Sequence, residues 1–505
     1  MPISTSTTKP ASSPRLRAAR YLVACCMLIT LFLLPLSGKP TVSASNAAVE
    51  GIAKALPCAT LGEVEDVAPG TGLFRIDMDL SNYPNAVCND GTPATMFVRR
   101  YAKKADKDKW VIFLLGGGNC GSGQECAERW CSAGTPYGAN KMSTAFLKQR
   151  GVSNSIDANG IFSRDVAGNN FAGWNHVFVF YCSSDDWQGS ASNVQLSAKD
   201  ASGNQTDYLI NFRGADIVEA VIATLQREPR GNAVEYTDST SGEDMVLPDI
   251  DKAELVLFTG SSAGGNGVKN NVDRVGELLR QSNKQCNGAH CPLVYLGVID
   301  ANYPPSFHSI NLLQATFCTE SPFVCTYDDL YVNTWNLLNV ATYGARGDES
   351  CVKWHQQHQP GTEWQCADPQ HVVHNHLTTP LFIRMDLQDS NIGGHFLDKN
   401  LATAAQFGQL THDQLSAVVN LDSFAEEGSV RGGGPRLRAP GVFGPQCTDH
   451  YGLSISKVFF GVKITDSGKQ YSFHDVLWNW VQGAAPQQII RPFAGAGPAP
   501  DCPTN

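Results

Sequence analysis

The sequence predicts an α/β fold in which a mostly parallel sheet carries helices on both faces. Two amphipathic stretches, residues 215–225 and 268–279, place their apolar side chains on one helical stripe. They alternate with short runs rich in apolar, β-branched and aromatic residues, as expected of buried parallel strands. Such alternation favours a parallel sheet because parallel neighbours need crossover connections. The predicted strands lie at residues 110–115, 176–182, 254–258, 294–299 and 380–385.

The chain length and composition predict one catalytic-sized domain between two short terminal segments. The chain has 505 residues, of which 42% are hydrophobic, so a large core is available. Neither an internal repeat nor a long low-complexity linker divides its body. We therefore assign residues 1–48 to a targeting segment and polar spacer, residues 49–485 to a single domain, and residues 486–505 to a loosely packed tail rich in Pro, Gly and Ala.

The charge balance excludes one class of partner. There are 38 Lys and Arg residues against 48 Asp and Glu residues, which gives a formal net charge of −10. The basic residues form no dense stripe, so nucleic acid is not an expected partner.

The N-terminus has the features of an export signal. An apolar run at residues 21–36 follows Arg15, Arg17 and Arg20 and precedes Val42-Ser43-Ala44, which resembles a signal-peptidase site. The run is shorter than a bilayer-spanning helix needs and contains Pro35. We expect a secreted or periplasmic protein, with an uncleaved signal anchor as the alternative and the sole route to a membrane.

Cysteine usage agrees with export to an oxidising compartment. Of 16 cysteines, Cys25 and Cys26 lie in the apolar run, and the even remainder allows up to seven disulfides. The absence of a C-x-x-C pair argues against a cysteine metal site. Small local loops are expected between neighbouring cysteines at 126 and 131, 286 and 291, 318 and 325, and 351 and 366.

The strongest catalytic motif is the segment Gly260-Ser261-Ser262-Ala263-Gly264, which reads G-x-S-x-G between a predicted strand and a predicted helix. A sharp turn at this position lifts the central serine clear of the backbone, and the helix directs its positive end at a developing oxyanion. Ser262 is therefore the candidate nucleophile. The alternative is a structural glycine-rich turn, because the motif alone has many false positives.

A second glycine run, at residues 116–118, follows the first predicted strand. Acyl transfer needs backbone N–H groups directed at the oxyanion, and a glycine run in this position is a usual source of them. The candidate donors are Gly118 and Asn119, completed by Ala263.

At several separated motifs the chain resembles the pectin acetylesterase and Notum carboxylesterase family. The resemblance runs from about residue 75 to residue 483. The motifs, in chain order, are Gly-Gly-Gly-x-Cys with Cys126 and Arg129, Trp174-Asn175 leading to Tyr181-Cys182, Phe212-Arg213-Gly214, the Gly-x-Ser-Ala-Gly-Gly turn, and Thr379-Pro380-Leu381-Phe382-Ile383.

The resemblance implies a secreted, disulfide-rich α/β-hydrolase with a Ser-Asp-His triad in that chain order. Ser262 matches the family serine. The family acid follows the Thr-Pro-Leu-Phe-Ile strand and precedes a serine, which matches Asp389, with Asp386 as the alternative. The family histidine closes a Pro-x-Cys-x-x-His block, which ends here at His450.

The chemistry is consistent with these residue types. A histidine takes the serine proton and returns it to the leaving alcohol, while the carboxylate holds the imidazole tautomer. This chain departs from the family in having Leu115 before the glycine run, where an acidic residue is usual, and Asn119 after it, where Trp is usual. The usual substrates therefore do not follow from the resemblance. We expect ester hydrolysis without a cofactor by a monomer, with a carbohydrate O-acetyl group as the first candidate and a long acyl chain as the second.

Two other classes of function compete with the esterase. Histidines at 355, 358, 371, 374 and 376 have spacings that suit a divalent metal, but no H-E-x-x-H motif is present and a solvated helix face explains them. We therefore assign no metal site. A catalytically inactive binding protein with the same fold is the third reading, although all three triad candidates are present.

Overall fold

The computed structural model describes residues 52, 55, 56, 58, 72–132, 138–147, 154–165, 168–199, 202–227, 233–287, 290–310, 344, 346–421, 424–426, 436–499 and 502. The predicted export signal lies outside these residues, as do Cys318 and Cys325. Among the described helices, none is both long enough and apolar enough to cross a membrane.

A ten-stranded sheet organises the described chain. The strands are β1 (Leu73–Asp77), β2 (Thr95–Arg99), β3 (Lys109–Leu114), β4 (Ser155–Ile156), β5 (Asn175–Val179), β6 (Ala191–Lys199), β7 (Gln205–Phe212), β8 (Glu235–Asp238), β9 (Glu243–Val246), β10 (Leu255–Ser261), β11 (Val294–Asp300), β12 (Leu381–Arg384), β13 (Phe424–Glu426), β14 (Arg436–Arg438), β15 (Gly441–Gly444), β16 (Lys463–Asp466), β17 (Lys469–Ser472) and β18 (Gln488–Ile490). The sheet order is β18-β15-β12-β11-β10-β3-β5-β2-β1-β4. From β18 to β5 all neighbours are parallel, and the remaining pairs are antiparallel. All five predicted strands belong to the parallel part, which confirms the predicted fold class.

Helices cover both faces of this sheet. They are α1 (Gly123–Cys131), α2 (Gly214–Leu225), α3 (Ala263–Ser282), α4 (Glu349–His358), α5 (Pro369–Asn375), α6 (Ser390–Asp398), α7 (Ala404–Val419), α8 (Ser456–Gly461) and α9 (Phe473–Gln482). In β15, Gly441 faces Trp480 of α9 and Gly444 faces Leu415 of α7. Residues three apart in a strand point to opposite faces, so α7 and α9 lie on opposite sides of the sheet.

The parallel strands are buried on both faces because they are almost wholly apolar. Every residue of β3 except Lys109 is buried, and β12 is buried throughout. The large side chains Trp110, Phe113 and Trp480 belong to the same core. This rigid layer fixes the carboxyl ends of β3, β10, β11 and β12, where the loops considered below begin.

Six disulfides join described residues and correct part of the predicted pairing. They are Cys58–Cys131, Cys88–Cys182, Cys120–Cys126, Cys286–Cys291, Cys351–Cys366 and Cys447–Cys502. The local loops at 286/291 and 351/366 are confirmed. The predicted 126/131 loop is wrong, because both cysteines lie on α1 and each bonds a residue outside that helix.

The segment predicted as a loose tail is attached to the sheet. Residues 488–490 form β18, which pairs in parallel with β15 at one edge. Further along, Cys502 is bonded to Cys447, and the side chain of Gln446 donates to the carbonyls of Gly495 and Gly497. The Pro- and Gly-rich composition suggested looseness, but these long-range bonds override it.

Candidate active site

The turn between β10 and α3 presents Ser262 with a positive φ of 57° and a ψ of −126°. The backbone of a residue that carries a side chain is strained by about 1 to 3 kcal/mol in such a sparsely populated conformation. Glycine is required on both sides. A Cβ on Gly260 would lie 2.1 Å from the carbonyl oxygen of Gly264, and one on Gly264 would lie 1.9 Å from that of Leu114. The turn is therefore as tight as the G-x-S-x-G pattern predicts.

Two hydrogen bonds to its backbone groups hold Ser262 in place. Its N–H donates to the carbonyl of Asp300 at 2.9 Å, and the side-chain amide of Asn302 donates to its carbonyl at 2.7 Å. The residue is 7% exposed. Its hydroxyl forms no hydrogen bond with the described residues, so the oxygen is available to a reacting group.

His450 is oriented by Asp389, 61 residues earlier in the chain. Its Nδ1 lies 2.8 Å from Oδ2 and 3.0 Å from Oδ1 of Asp389. The Asp389 carboxylate is fully buried, and its Oδ1 also accepts the N–H groups of Asn391 and Ile392 at 2.9 Å each, as the N-cap of α6. A carboxylate is an acceptor, so Nδ1 of His450 carries the proton and Nε2 presents a lone pair. That Nε2 is buried and unpartnered among the described residues.

Asp386, the alternative acid, has other partners. One of its oxygens forms an ion pair with Arg384, and the other accepts the N–H of Asp449 at 2.8 Å. The structure therefore brings Asp389 to the imidazole of His450 and leaves Asp386 on the backbone of the same loop.

Residues 449–453, here called the His450 loop, rest on a buried cluster of three charges. Arg384 at the end of β12 lies between Asp386 and Asp300, and all three are fully buried. Arg384 donates to the carbonyls of Asp449 and His450 at 3.2 Å each. Burial lowers the pKa of Arg384, but Asp386 and Asp300 raise it above its ordinary value. The guanidinium is therefore held charged beneath the loop.

Asp300 extends this cluster to the serine turn. Its Oδ2 accepts the N–H groups of Gly452 and Leu453 at 2.9 and 3.0 Å. The same oxygen accepts the hydroxyl of Ser261, the neighbour of Ser262. One carboxylate thus ties the His450 loop to the turn. Sequence analysis missed Asp300 and Arg384, although a charged residue at the end of each of two adjacent apolar runs was the available signal.

The glycine run after β3 lies against both loops. A Cβ on Gly116 would lie 2.7 Å from Cβ of Ser262 and 3.1 Å from Cε1 of Tyr451, the residue after His450. The Ser262 turn and the His450 loop therefore converge on the same glycine.

Three side chains hold successive carbonyls of residues 115–117, here called the glycine turn. The donors are Trp187 Nε1 to Leu115 at 3.1 Å, Lys141 Nζ to Gly116 at 2.7 Å and Arg129 to Gly117 at 2.7 Å. The C=O and N–H of one trans peptide point in opposite directions. The N–H groups of Gly117 and Gly118 therefore point away from Lys141 and Arg129.

The candidate oxyanion donors are unengaged. Gly118 has a φ of 64°, and neither its N–H nor that of Asn119 bonds a described residue. Ala263 is the first residue of α3, where an N–H has no partner within the helix. Within the described part of the chain, none of the three N–H groups has a hydrogen-bond partner, which leaves them available to an anion.

The side chain of Asn119 points to a buried carboxylate. It donates to Oδ2 of Asp186 at 2.7 Å, and Asn266 donates to the same oxygen at 3.3 Å. Burial raises the pKa of Asp186 to about 6, while Asn119 and Lys269 act in the opposite direction. A polar pair thus occupies the position after the glycine run.

A cavity of about 220 Å³ adjoins this centre. Two of its lining residues touch the candidate triad through hydrogen bonds, since Asn302 holds the carbonyl of Ser262 and Ile392 donates its N–H to Asp389. The lining is mixed: Asp186, Asn266 and Lys269 contribute polar groups, and it also contains the apolar residues Pro304, Phe307, Ile392 and Phe396.

Of the histidines at 355, 358, 371, 374 and 376, only His358 is exposed, so a solvated helix face does not explain the other four, contrary to expectation. His355 is fully buried, and His371 and His376 are half-buried. Burial and the neighbouring His376 and His355 lower the pKa of His371 to about 4. His374 is separate from these three, with its Nε2 3.0 Å from the hydroxyl of Tyr303.

Comparison with known proteins identifies the family. A family model described as Pectinacetylesterase matches residues 76–235 and 241–494. Palmitoleoyl-protein carboxylesterase notum2 of Xenopus laevis is 27% identical over 424 residues, which are 82% of this chain and 70% of that protein. Palmitoleoyl-protein carboxylesterase NOTUM of Schmidtea mediterranea is 27% identical over 382 residues, which are 75% of this chain and 58% of that protein.

A solved structure agrees with the fold. The Wnt deacylase Notum from Drosophila superimposes with a TM-score of 0.56 at 21% identity, covering 86% of this chain and 100% of that one. The likeness supports the α/β-hydrolase architecture. The family match across most of the chain shows that this protein belongs to the pectinacetylesterase family of carboxylic ester hydrolases.

Proposed function

We propose that this protein is a secreted serine carboxylesterase that forms an acyl-enzyme on Ser262. The observation that carries the proposal is the buried, unpartnered Nε2 of His450, whose opposite nitrogen is fixed by Asp389. Such a nitrogen is suited to accept a proton from a hydroxyl brought to it. In an enzyme without substrate, the hydrogen bond between the nucleophile and its base is often long, and it shortens when substrate binds.

The reaction has two balanced halves. Oγ of Ser262 attacks the ester carbonyl carbon while its proton passes to Nε2 of His450, and the N–H groups of Gly118, Asn119 and Ala263 bind the oxyanion. The C–O bond to the alcohol breaks as His450 returns the proton to that oxygen. Water then attacks the acyl-serine by the same route and releases the carboxylic acid.

A covalent serine probe tests the mechanism. We expect a fluorophosphonate to label the wild type on the peptide that contains Ser262 and not to label Ser262→Ala, whose kcat falls by about 10⁴-fold to 10⁶-fold. Ser416→Ala on α7 is the matched control, because it removes a serine hydroxyl away from the turn, whereas the hydroxyl of Ser261 is bonded to Asp300. Labelling of Ser262→Ala, or loss of labelling in Ser416→Ala, would contradict the proposal.

For the acyl group we propose acetyl on a carbohydrate. The polar pair Asn119 and Asp186 beside the glycine turn supports a small acyl group and a polar alcohol. A long-chain acyl group is the second candidate, favoured by Phe307, Ile392 and Phe396 in the cavity and by the names of the relatives.

A chain-length series of aryl esters separates these candidates. We expect kcat/KM of the wild type to be highest for acetyl and to fall as the chain lengthens. Asn119→Trp, which introduces a large apolar side chain, should shift the preference, whereas Asn420→Trp at the end of α7 should leave it unchanged. A rate that rises with chain length in the wild type would favour the long-chain alternative.

Export and a monomeric state complete the proposal. The apolar run at residues 21–36 and the six disulfides support a secreted protein. Mass spectrometry of the mature N-terminus tests export, and the mass of the native protein tests the monomeric state.

A further inference from the structure

Three imidazole rings that are not part of the candidate triad meet between α4 and the end of α5. The histidine cluster consists of His355 on α4, His371 on α5 and His376 immediately after α5. The disulfide Cys351–Cys366 joins α4 to the segment before α5. The cluster therefore links two elements that are already held together covalently.

The ring nitrogens have the spacing of metal ligands. Nε2 of His371 lies 2.9 Å from Nε2 of His355 and 3.2 Å from Nε2 of His376. The ligand nitrogens of all three lie within 4.8 Å of one another. Two nitrogens bound tetrahedrally to one Zn²⁺ at the usual bond length are separated by about 3.3 Å.

The hydrogen bonds of His355 place its proton on Nδ1, away from the other two histidines. Its Nδ1 lies 2.7 Å from Oγ1 of Thr362, and that hydroxyl donates to the carbonyl of Gln359 at 2.6 Å. Since the threonine proton is used, Oγ1 accepts from Nδ1–H, and Nε2 of His355 presents a lone pair. An imidazole held by its second nitrogen in this way is the usual arrangement of a metal-bound histidine.

Hydrogen bonds alone do not satisfy the cluster. Nε2 of His371 carries either one proton or one lone pair, yet it faces two nitrogens at hydrogen-bond distance. It can therefore make one straight hydrogen bond and leaves the other contact unpaired. A cation between the rings would replace the Nε2 proton of His371 and accept all three lone pairs, with Nδ1 of His371 then protonated beside the side-chain amide of Asn375, 3.3 Å away.

We propose that His355, His371 and His376 form a binding site for one divalent transition-metal ion, Zn²⁺ by its preference for imidazole. Water supplies the fourth ligand, since Cys351 is bonded to Cys366 and offers no thiolate. The ion joins α4 to α5 and has no part in ester chemistry.

Zinc titration of the chelator-stripped, full-length protein tests this site. We expect calorimetry to give one Zn²⁺ per chain at micromolar concentrations, and Co²⁺ to give the visible absorption of a tetrahedral complex. His371→Gln should weaken binding by about 100-fold or more, and Thr362→Val, which removes the partner of Nδ1, by about 10-fold to 100-fold. His374→Gln, on the same helix but outside the cluster, should bind as the wild type does.

Labelling of Ser262 by the fluorophosphonate probe reports whether each variant has folded. If His371→Gln fails to label, Thr362→Val and His376→Gln decide the question. Failure of the wild type to bind Zn²⁺, unchanged binding in His371→Gln, or an equal loss in His374→Gln would overturn the proposal.

Discussion

The His450 loop and the glycine turn meet at the same site but are held in different ways. The glycine turn is held by three separate side-chain donors, each of which forms a hydrogen bond with one neutral carbonyl. The His450 loop rests on a single cluster in which Arg384, Asp300 and Asp386 depend on one another.

This difference predicts different responses to substitution. A donor to a neutral carbonyl can be removed without leaving a charge behind, so its loss is local. Removing one member of a buried ionic cluster leaves its partners charged and dry, which costs far more than the pair contributes.

Exchanging the acids beneath the His450 loop should have the largest effect. Asp389→Asn presents an N–H to Nδ1 of His450 and favours the tautomer without a lone pair on Nε2, so we expect kcat to fall by about 10⁴-fold with the fold intact. Asp386→Asn should lower stability and affect kcat much less. Measurement of kcat and of unfolding by urea for both variants checks this, and the reverse order of kcat would assign the acid to Asp386.

Arg384→Met should lower the free energy of unfolding by about 3 to 5 kcal/mol, because Asp300 and Asp386 are left buried and unpaired. Arg75→Met is the control. The side chains of Arg75 and Asp77, which form an ion pair, are 25% and 48% exposed, and such a surface pair contributes about 0 to 1 kcal/mol. Urea unfolding measures both. Equal losses in the two variants would remove the distinction between the loops.

The carboxylate beside the glycine turn should make stability depend on pH. The pKa of Asp186 is about 6 in the folded protein against an ordinary 3.8, so the folded state binds the proton more tightly. Its contribution is present at low pH and is lost as the pH rises between about 4 and 6, by about 2 to 3 kcal/mol. We expect Asp186→Asn to lose less stability than the wild type over this interval.

Asp475→Asn is the control for that pH series. A hydrogen bond from His474 lowers the pKa of Asp475 to about 2, so its stabilisation is lost below the interval measured for Asp186. Urea unfolding at several pH values should therefore give Asp475→Asn the slope of the wild type. If the stability of Asp186→Asn depends on pH as that of the wild type does, the carboxyl of Asp186 has an ordinary pKa in the wild type and the prediction is wrong.

Lys141→Met should have the smallest effect, about 2 kcal/mol, because one carbonyl, that of Gly116, loses its charged donor. Lys103→Met on the surface should change stability by less than about 0.5 kcal/mol. The comparison is made by urea unfolding. A loss as large as that of Arg384→Met would mean that the glycine turn is also held as one coupled unit.

The sequence was sufficient for the five central strands of the sheet because each of them is marked by a local apolar run. The five apolar runs lie next to each other in the parallel part, and the stretches at residues 215–225 and 268–279 became α2 and α3. Residues 488–490 were missed because a three-residue edge strand has no periodicity to detect, and its pairing with β15 depends on tertiary contacts.

The candidate site was predictable where a motif or resemblance fixes a residue, and less so where function depends on long-range contact. The predicted Asp389 and His450 lie in hydrogen-bond contact, while their catalytic roles and that of Ser262 stay predictions. The cluster beneath the His450 loop joins residues 300, 384 and 386 with residues 449–453, and no local pattern encodes that meeting. The histidines were visible in sequence, but their convergence depends on how α4 and α5 pack.

The Cys447–Cys502 bond links the last part of the chain to the segment three residues before His450. Removing Cys502 by trimming the C-terminus would leave Cys447 as a free thiol three residues before His450. A purification tag or fusion partner at the C-terminus would be attached just beyond Cys502, which is bonded to Cys447. Recombinant design should therefore retain Cys502, because it is covalently bound to the segment that carries His450.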